Sequence, residues 1–205
     1  MKNYPMLVLT LLLILSFSPA WATSSILLLG DSISASYGMK QNEGWVHLLN
    51  EKLKNNHSPY YLSNASISGE TTGGGLSRIS GILSNQKFDH LLIELGGNDG
   101  LRGYSPLLIK NNLLQTITLA QEKNVKVSLI KIKITPNYGP RYNKMVEQVF
   151  IDVAKEKDIL LLPFFMEQII TRPELMQDDG IHPNQKAQPL IADIVEKQLE
   201  QIVTQ

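Results

Sequence analysis

Short apolar runs alternate with segments of helical periodicity along most of this chain of 205 residues. That alternation is typical of α/β folds, in which a helix connects each strand to the next and the strands pair in parallel. The predicted strands are Ser25–Leu29, Tyr60–Asn64, His90–Leu95, Val125–Ile132 and Ile159–Leu162. Four of these five runs are almost continuously apolar, as expected for strands that helices cover on both faces.

The predicted helices lie between these strands and after the last one: Trp45–Lys54, Leu76–Leu83, Leu107–Glu122, Asn143–Lys157 and Asn184–Val203. No linker or shift in composition divides this part of the chain, so we expect a single domain over residues 23–205. The pattern predicts an α/β fold, a flavodoxin-like three-layer sandwich around a five-stranded parallel sheet.

The first 22 residues have a different character. Lys2 precedes a short apolar run, Met6–Phe17, which is followed by Ala20-Trp21-Ala22. This order predicts a signal peptide over residues 1–22, cleaved after Ala22. An uncleaved membrane anchor is the alternative, but the run is shorter than the roughly 20 residues that span a bilayer. We therefore expect export and, in a source with an outer membrane, a periplasmic protein without a stable membrane anchor.

The composition excludes several classes of function. The chain has 19 basic and 19 acidic residues and no polybasic run, so nucleic acid is not an expected partner. It has no cysteine, which excludes a thiol nucleophile, a disulfide framework and a cysteine-ligated zinc site. His47, His57 and His90 lack the spacing of metal ligands and are expected to be structural. No metal or other cofactor is predicted.

Polar, glycine-rich clusters follow the predicted strands. Gly30-Asp31-Ser32 follows the first strand, and residues 64–75 follow the second. Gly96-Gly97-Asn98-Asp99 follows the third strand, and residues 178–183 come after the fifth. Because the carboxyl ends of parallel strands lie at one edge of the sheet, the four clusters are expected to converge. That convergence predicts a functional site at this edge.

Two of these clusters contain the residue types of nucleophilic catalysis. A serine hydroxyl needs a neighbouring base to take its proton, and the base needs a third group to hold its tautomer. Ser32 lies at a strand-to-helix turn, and His182 follows Asp179 by three residues, so that the carboxylate can accept the imidazole Nδ1–H and leave Nε2 facing the serine. Asp178 is a rival for the third role that spacing alone does not exclude. Asp31 is expected to be a structural cap or loop anchor.

The other two clusters offer hydrogen-bond donors for an oxyanion. The tetrahedral intermediate of acyl transfer needs such donors aimed at its oxygen. Gly69 has no side chain to obstruct its backbone N–H, and Asn98 has a side-chain amide. Each also has an ordinary structural interpretation, since glycine is common in turns and asparagine commonly forms an Asx turn.

Taken in chain order, the four clusters resemble the SGNH (GDSL-type) hydrolase family. The resemblance extends over essentially all of residues 23–205. It is strongest to a periplasmic branch whose members act on acyl-CoA thioesters, peptides and lysophospholipids. The segments that carry this closer resemblance are Asn64–Thr71, Glu94–Gly103, Pro136–Gly139, Leu162–Glu167 and Met176–Asn184.

The resemblance implies a role for each site residue. Ser32 would be the nucleophile, His182 its base, and Asp179, rather than Asp178, the group that orients the base. The oxyanion donors would be Ser32, through its backbone N–H, with Gly69 and Asn98. A mobile loop over residues 100–105 and a facing wall would bind the substrate through Gly100, Leu101, Arg102, Pro136 and Tyr138. One departure is Ser36, which stands where many relatives carry glycine.

The expected function is that of a metal-independent serine hydrolase of long-chain acyl esters and thioesters, including lysophospholipids and acyl-CoA-like thioesters. We expect a monomer that acts on a small-molecule substrate without a cofactor. One alternative is a carbohydrate acetylesterase or arylesterase of the same family, which would prefer short acyl groups. The other is a secreted binding domain that has lost catalysis, against which the retention of all five catalytic and oxyanion positions argues.

Overall fold

The computed structural model describes residues 24–134 and 138–203, so the predicted signal peptide lies outside the described residues. The described part contains β1 (Ser24–Gly30), β2 (Tyr60–Asn64), β3 (His90–Glu94), β4 (Lys126–Ile130) and β5 (Leu160–Leu162). These strands form one parallel sheet in the order β2-β1-β3-β4-β5. The predicted fold class is therefore confirmed. The largest difference from the predicted strands is at β4, which is shorter at both ends than the apolar run that contains it.

Strand β1 is the centre of the core. It pairs with β2 on one side and with β3 on the other, and Ile26, Leu27, Leu28 and Leu29 are at most 1% exposed. Full burial of one such side chain contributes about 1.5–3 kcal/mol relative to leaving it in water. An unbroken apolar run is stable in this position because helices cover both faces of the strand.

Six helices accompany the sheet in the described residues: α1 (Trp45–Asn55), α2 (Thr72–Asn85), α3 (Gly97–Leu101), α4 (Pro106–Gln121), α5 (Gly139–Lys157) and α6 (Gln188–Val203). Right-handed crossovers place α1 on one face of the sheet and α2, α4 and α5 on the other. Consistent with this, α1 packs against α6, and α4 packs against both α2 and α5. None of the helices in the described ranges is both long and apolar enough to cross a bilayer.

Four helices differ from the sequence-based prediction. Helices α2 and α5 each begin four residues earlier than predicted, at Thr72 and Gly139. The short helix α3 was not predicted, because five residues that include Gly97 and Gly100 give no helical periodicity. Helix α6 begins at Gln188 rather than at Asn184, after a 3-10 turn over Gln185–Ala187. The Asn184 side chain accepts a hydrogen bond from the N–H of Lys186 at 3.0 Å, which caps this turn.

The order of the strands reverses between β1 and β3. In open parallel sheets a crevice forms at this topological switch point, outside the carboxyl ends of the two strands. The segment after β1 carries Ser32, and α3, directly after β3, carries Asn98. The topology thus places these two side chains at the crevice before any detail of their conformation is considered.

Candidate active site

Ser32 lies in a turn directly after β1. The chain makes one helix-like turn there, in which the N–H of Ala35 donates to the carbonyl of Asp31 at 2.9 Å, and α1 begins only at Trp45. Gly30 is the last residue of β1, and a Cβ at that position would lie 2.7 Å from Glu94 Oε2 and 2.7 Å from Ser66 Oγ. The glycine therefore allows these polar side chains to approach the backbone beside the turn that contains Ser32.

A continuous line of hydrogen bonds joins Ser32, His182 and Asp179. The imidazole Nε2 lies 2.9 Å from Ser32 Oγ, and Nδ1 lies 2.6 Å from Asp179 Oδ2. Because an ionised carboxylate can only accept, Nδ1 carries the proton and Nε2 is left to accept the serine O–H. The three side chains that the sequence analysis selected are therefore together in the arrangement that general-base activation of a serine requires.

The loop around Asp179 holds its carboxylate in place. Asp179 Oδ1 accepts the backbone N–H of Ile181 at 2.9 Å and that of His182 at 3.0 Å. Desolvation acts to raise the pKa of Asp179, but the hydrogen bonds from the backbone and ring of His182 and from Ile181 outweigh it and lower the pKa to about 2. Asp179 is thus ionised at neutral pH. Within the described residues, no hydrogen bond joins its rival Asp178 to the imidazole.

Asn98 is the second residue of α3 and points at the turn that contains Ser32. Its Nδ2 donates to Asp31 Oδ2 at 3.1 Å. A primary amide has two N–H bonds, so this contact fixes the amide plane and leaves the second N–H for another acceptor. Gly96 precedes the helix and has a φ of +121°, a conformation that favours glycine. A Cβ on Gly96 would also lie 2.8 Å from the Phe150 ring, so only glycine fits here without a shift of that ring.

Asp31 has two functions, of which the sequence indicated only one. Its Oδ1 accepts the N–H of Ile33 at 3.0 Å, which is the predicted role of a loop anchor. The bond from its other oxygen to Asn98 was not predicted, because residues 67 positions apart give no local pattern. Asp31 therefore links the turn of Ser32 to the side chain of Asn98, the candidate oxyanion donor.

A second carboxyl group, Glu94, is buried beneath Asp31. Glu94 Oε2 accepts the hydroxyl of Ser34 at 2.8 Å and the N–H of Asp31 at 3.3 Å. Burial raises the pKa of Asp31 to about 6, although its hydrogen bonds from Ile33 and Asn98 act in the opposite direction. Burial, together with the charge of Asp31, raises the pKa of Glu94 well above its ordinary value. No local pattern singled out Glu94, since it ends a strand whose three central residues are apolar.

Gly69 adopts a backbone conformation that favours glycine, with a φ of +79°. Its carbonyl accepts a guanidinium N–H of Arg102 at 3.1 Å. The turn that contains it lies beside β1, because the N–H of Ile67 donates to the carbonyl of Gly30 at 3.1 Å. Gly69 is not one of the residues that line the cavity described next, whereas Ser32, Asn98 and His182 all are.

A cavity of about 580 Å³ opens beside Ser32, Asn98 and His182. Its walls are largely apolar and come from the segments that follow β4 and β5: Ile132, Ile134, Phe164, Met166 and Ile170. These side chains are not among the predicted site residues. Apolar residues after a strand are as typical of the core as of a pocket, so the sequence contained no signal that separates the two.

The predicted substrate-binding residues have different positions. Leu101 lines the cavity, whereas Gly100 is buried behind it, where a Cβ would lie 2.5 Å from the Ile134 side chain. Both residues belong to α3 rather than to a loop. Arg102 contacts Gly69, and Tyr138 donates its hydroxyl to the carbonyl of Leu101 at 3.4 Å, outside the cavity wall. Pro136 lies outside the described residues.

Comparison with known proteins gives consistent matches over nearly the whole chain. The model of the GDSL-like lipase/acylhydrolase family matches residues 28–189. The thioesterase 1/protease 1/lysophospholipase L1 of Escherichia coli is 44% identical over 94% of this chain and 90% of that protein. The arylesterase of Vibrio mimicus is 43% identical over 87% of this chain and 89% of that protein.

Solved structures agree with these sequence matches. The psychrotrophic esterase EstA from Pseudoalteromonas sp., in a structure inhibited by monoethylphosphonate, superposes with a TM-score of 0.88. It is 44% identical and covers 89% of this chain and all of that one. The esterase AlinE4, described as an SGNH hydrolase, has a TM-score of 0.72 at 31% identity over 88% of this chain and 96% of its own.

Replacing Asp179 by Asn tests which carboxylate holds the imidazole. An amide at this position retains the shape of the side chain but stabilises the wrong tautomer, so kcat for an activated ester should fall by roughly 10⁴. Asp178→Asn is the matched control, since it removes one negative charge from the adjacent exposed residue, and its kcat should change by less than about threefold. Equal losses in the two variants would contradict the assignment of Asp179.

Proposed function

The chain belongs to the GDSL-like lipase/acylhydrolase family and is an esterase, and we propose that it cleaves long-chain acyl esters and thioesters through an acyl-enzyme on Ser32. The observation that carries this proposal is the 2.9 Å contact between Ser32 Oγ and His182 Nε2 at the mouth of an apolar cavity. Lysophospholipids and acyl-CoA-like thioesters are the proposed substrate classes, and the activities named for the Escherichia coli relative support them.

In the proposed acylation step, Ser32 Oγ attacks the carbonyl carbon while its proton moves to His182 Nε2. Asp179 holds the Nδ1–H and stabilises the imidazolium that forms. The carbonyl oxygen becomes an oxyanion, which the Asn98 side chain and the backbone N–H groups of Ser32 and Gly69 would bind. When the intermediate collapses, the C–O or C–S bond breaks and the imidazolium gives its proton to the leaving alcohol or thiol.

In the proposed deacylation step, water takes the place of the leaving group. His182 accepts a proton from this water as its oxygen attacks the acyl carbon, and the same donors bind the second oxyanion. Collapse releases the carboxylic acid and returns the proton to Ser32. The chemistry involves no redox change and no group transfer to an acceptor other than water.

The apolar walls of the cavity support a preference for long acyl chains. Each methylene that moves from water into such a cavity gains about 0.8 kcal/mol. The cavity lies on the side of Ser32 where β4 and β5 end. With the acyl chain of a substrate bound in this cavity, the leaving alcohol or thiol would face solvent. A short acyl group would leave most of the wall in contact with water.

A series of acyl chain lengths tests this preference. With p-nitrophenyl esters and acyl-CoA thioesters from acetyl to palmitoyl, kcat/KM should rise with chain length. Ile170→Asp places a charge on the cavity wall and should lower kcat/KM for the long chains roughly tenfold more than for acetyl. Leu107→Asp is the matched control, because Leu107 is exposed on α4 and does not line the cavity. It should change kcat/KM neither for the long-chain substrates nor for acetyl.

Two results would contradict parts of this proposal. A strict preference for acetyl substrates would indicate the short-chain acetylesterase or arylesterase, the alternative that the Vibrio mimicus relative represents. Absence of hydrolysis across the whole series, from a folded protein, would indicate a binding domain instead.

We further propose that the protein acts in the periplasm as a monomer. Support for export comes from Lys2, the apolar run Met6–Phe17 and the Ala20-Trp21-Ala22 sequence. The balanced charge of the chain argues against a nucleic-acid partner. Small-molecule esters and thioesters are the proposed binding partners.

Mass spectrometry of the protein from fractionated cells tests the export proposal. The N-terminus should be Thr23, and the protein should be recovered with the periplasmic contents. Ala22→Asp is the control variant, because a charged residue at the cleavage site should leave the leader attached. A wild-type protein that retains Met1 and sediments with membranes would favour the uncleaved anchor.

A further inference from the structure

The ring of Tyr37 stacks on the imidazole of His182. The two ring centroids are 4.2 Å apart and the ring planes differ by 29°. Tyr37 is 47% exposed, so the imidazole covers part of its surface while much of the tyrosine remains in solvent. The Tyr37 ring is therefore held by its contact with His182 and not by burial in the hydrophobic core.

The backbone before Tyr37 has an unfavourable conformation that directs the ring to this place. Ser36 has a φ of +61°, although residues with a Cβ avoid the left-handed region. Ser36 is buried and packs so closely on Gly44 that a Cβ at Gly44 would collide with its hydroxyl. The turn after the nucleophile is thus held in a conformation that points Tyr37 back towards the site.

A single amide joins the segment of Tyr37 to the segment of His182. The Gln177 Nε2 donates to the carbonyl of Tyr37 at 2.9 Å and to that of Pro183 at 3.1 Å. The neighbouring Gly38 has a φ of +74°, and its missing Cβ leaves room for the Gln177 amide oxygen. Gln177 consequently fixes the backbone of Tyr37 relative to that of Pro183, the residue after His182.

We propose that Tyr37 is a positioning residue for His182: its ring holds the imidazole plane so that Nε2 faces Ser32 while Nδ1 faces Asp179. The torsion about the bond to a histidine ring is soft, so hydrogen bonds alone leave the plane free to tilt. The π-face of tyrosine also attracts a cation, and the imidazole becomes cationic as Ser32 attacks. The stack therefore favours the transition state over the ground state. This inference rests on the proposed function.

The inference predicts a loss in kcat that depends on the ring and not on the hydroxyl. With a p-nitrophenyl ester as substrate, Tyr37→Leu should lower kcat roughly tenfold with little change in KM, as expected for a lost cation–π contact in a partly desolvated site. Tyr37→Phe retains the aromatic face and should restore most of the activity. Tyr61→Leu is the matched control, because Tyr61 is 38% exposed and lies on β2, away from the carboxyl ends of the strands.

A double-mutant cycle distinguishes action through His182 from a general structural effect. In a His182→Ala background, where residual hydrolysis depends on the oxyanion donors and on binding, adding Tyr37→Leu should cause no further loss. A tenfold loss that persists in this background would overturn the inference, because Tyr37 would then act on the substrate or on the fold. Equal losses in Tyr37→Phe and Tyr37→Leu, or a comparable loss in Tyr61→Leu, would also overturn it.

The outcome is separable from a failure of the proposed function. If the wild-type protein does not hydrolyse the ester, the proposed function fails. If the wild type hydrolyses it and Tyr37→Leu does so equally well, only the role of Tyr37 fails. Nuclear magnetic resonance of the downfield Nδ1–H proton of His182 gives an independent readout: the signal should remain sharp in Tyr37→Phe and broaden in Tyr37→Leu.

Discussion

Parallel pairing of β1 with both β2 and β3 is the constraint on which the rest of this structure depends. It buries four consecutive aliphatic side chains of β1 and requires every connection to return over a face of the sheet. All five strands then end at the same edge, and the order reverses between β1 and β3. The turn of Ser32, helix α3 with Asn98 and the loop of His182 meet at this edge because each follows the carboxyl end of a strand.

The chemistry of the site depends on hydrogen bonds that a stable fold alone would not require. Buried carboxyl groups at Asp31 and Glu94 oppose folding when ionised, unlike the exposed and well-paired Asp179. Burial raises the pKa of Asp31 to about 6, above its value in the unfolded chain. The contribution of Asp31 to stability is therefore complete below about pH 4 and declines as the pH rises through 6. In return, Asp31 fixes Asn98 beside Ser32, so the unfavourable burial of this carboxyl group orients the candidate oxyanion donor.

Most of the fold could be predicted from the sequence, and so could the convergence of the residues that form the candidate site. Continuous apolar runs predict the strands, and the polar residues after them predict the edge where Ser32, Asn98 and His182 meet. The helix α3 could not be predicted, because tertiary packing of Gly96 on Phe150 and of Gly100 on Ile134 determines it. Neither could the Asp31–Asn98 bond or the Tyr37–His182 stack, since both join residues far apart in the chain. Local patterns indicate elements and turns, whereas these contacts depend on how the turns pack together.

The proposed mechanism requires that His182 activate Ser32 as a covalent nucleophile. Mass spectrometry of the intact protein after treatment with a fluorophosphonate tests it most directly, because the reagent reacts with an activated serine and leaves a stable adduct. We expect one adduct per chain, located on Ser32 by peptide mapping. We also expect that the adduct is absent from a folded Ser32→Ala variant and forms much more slowly in His182→Ala. A single adduct on another residue, or equal labelling of the Ser32→Ala variant, would contradict the proposed mechanism.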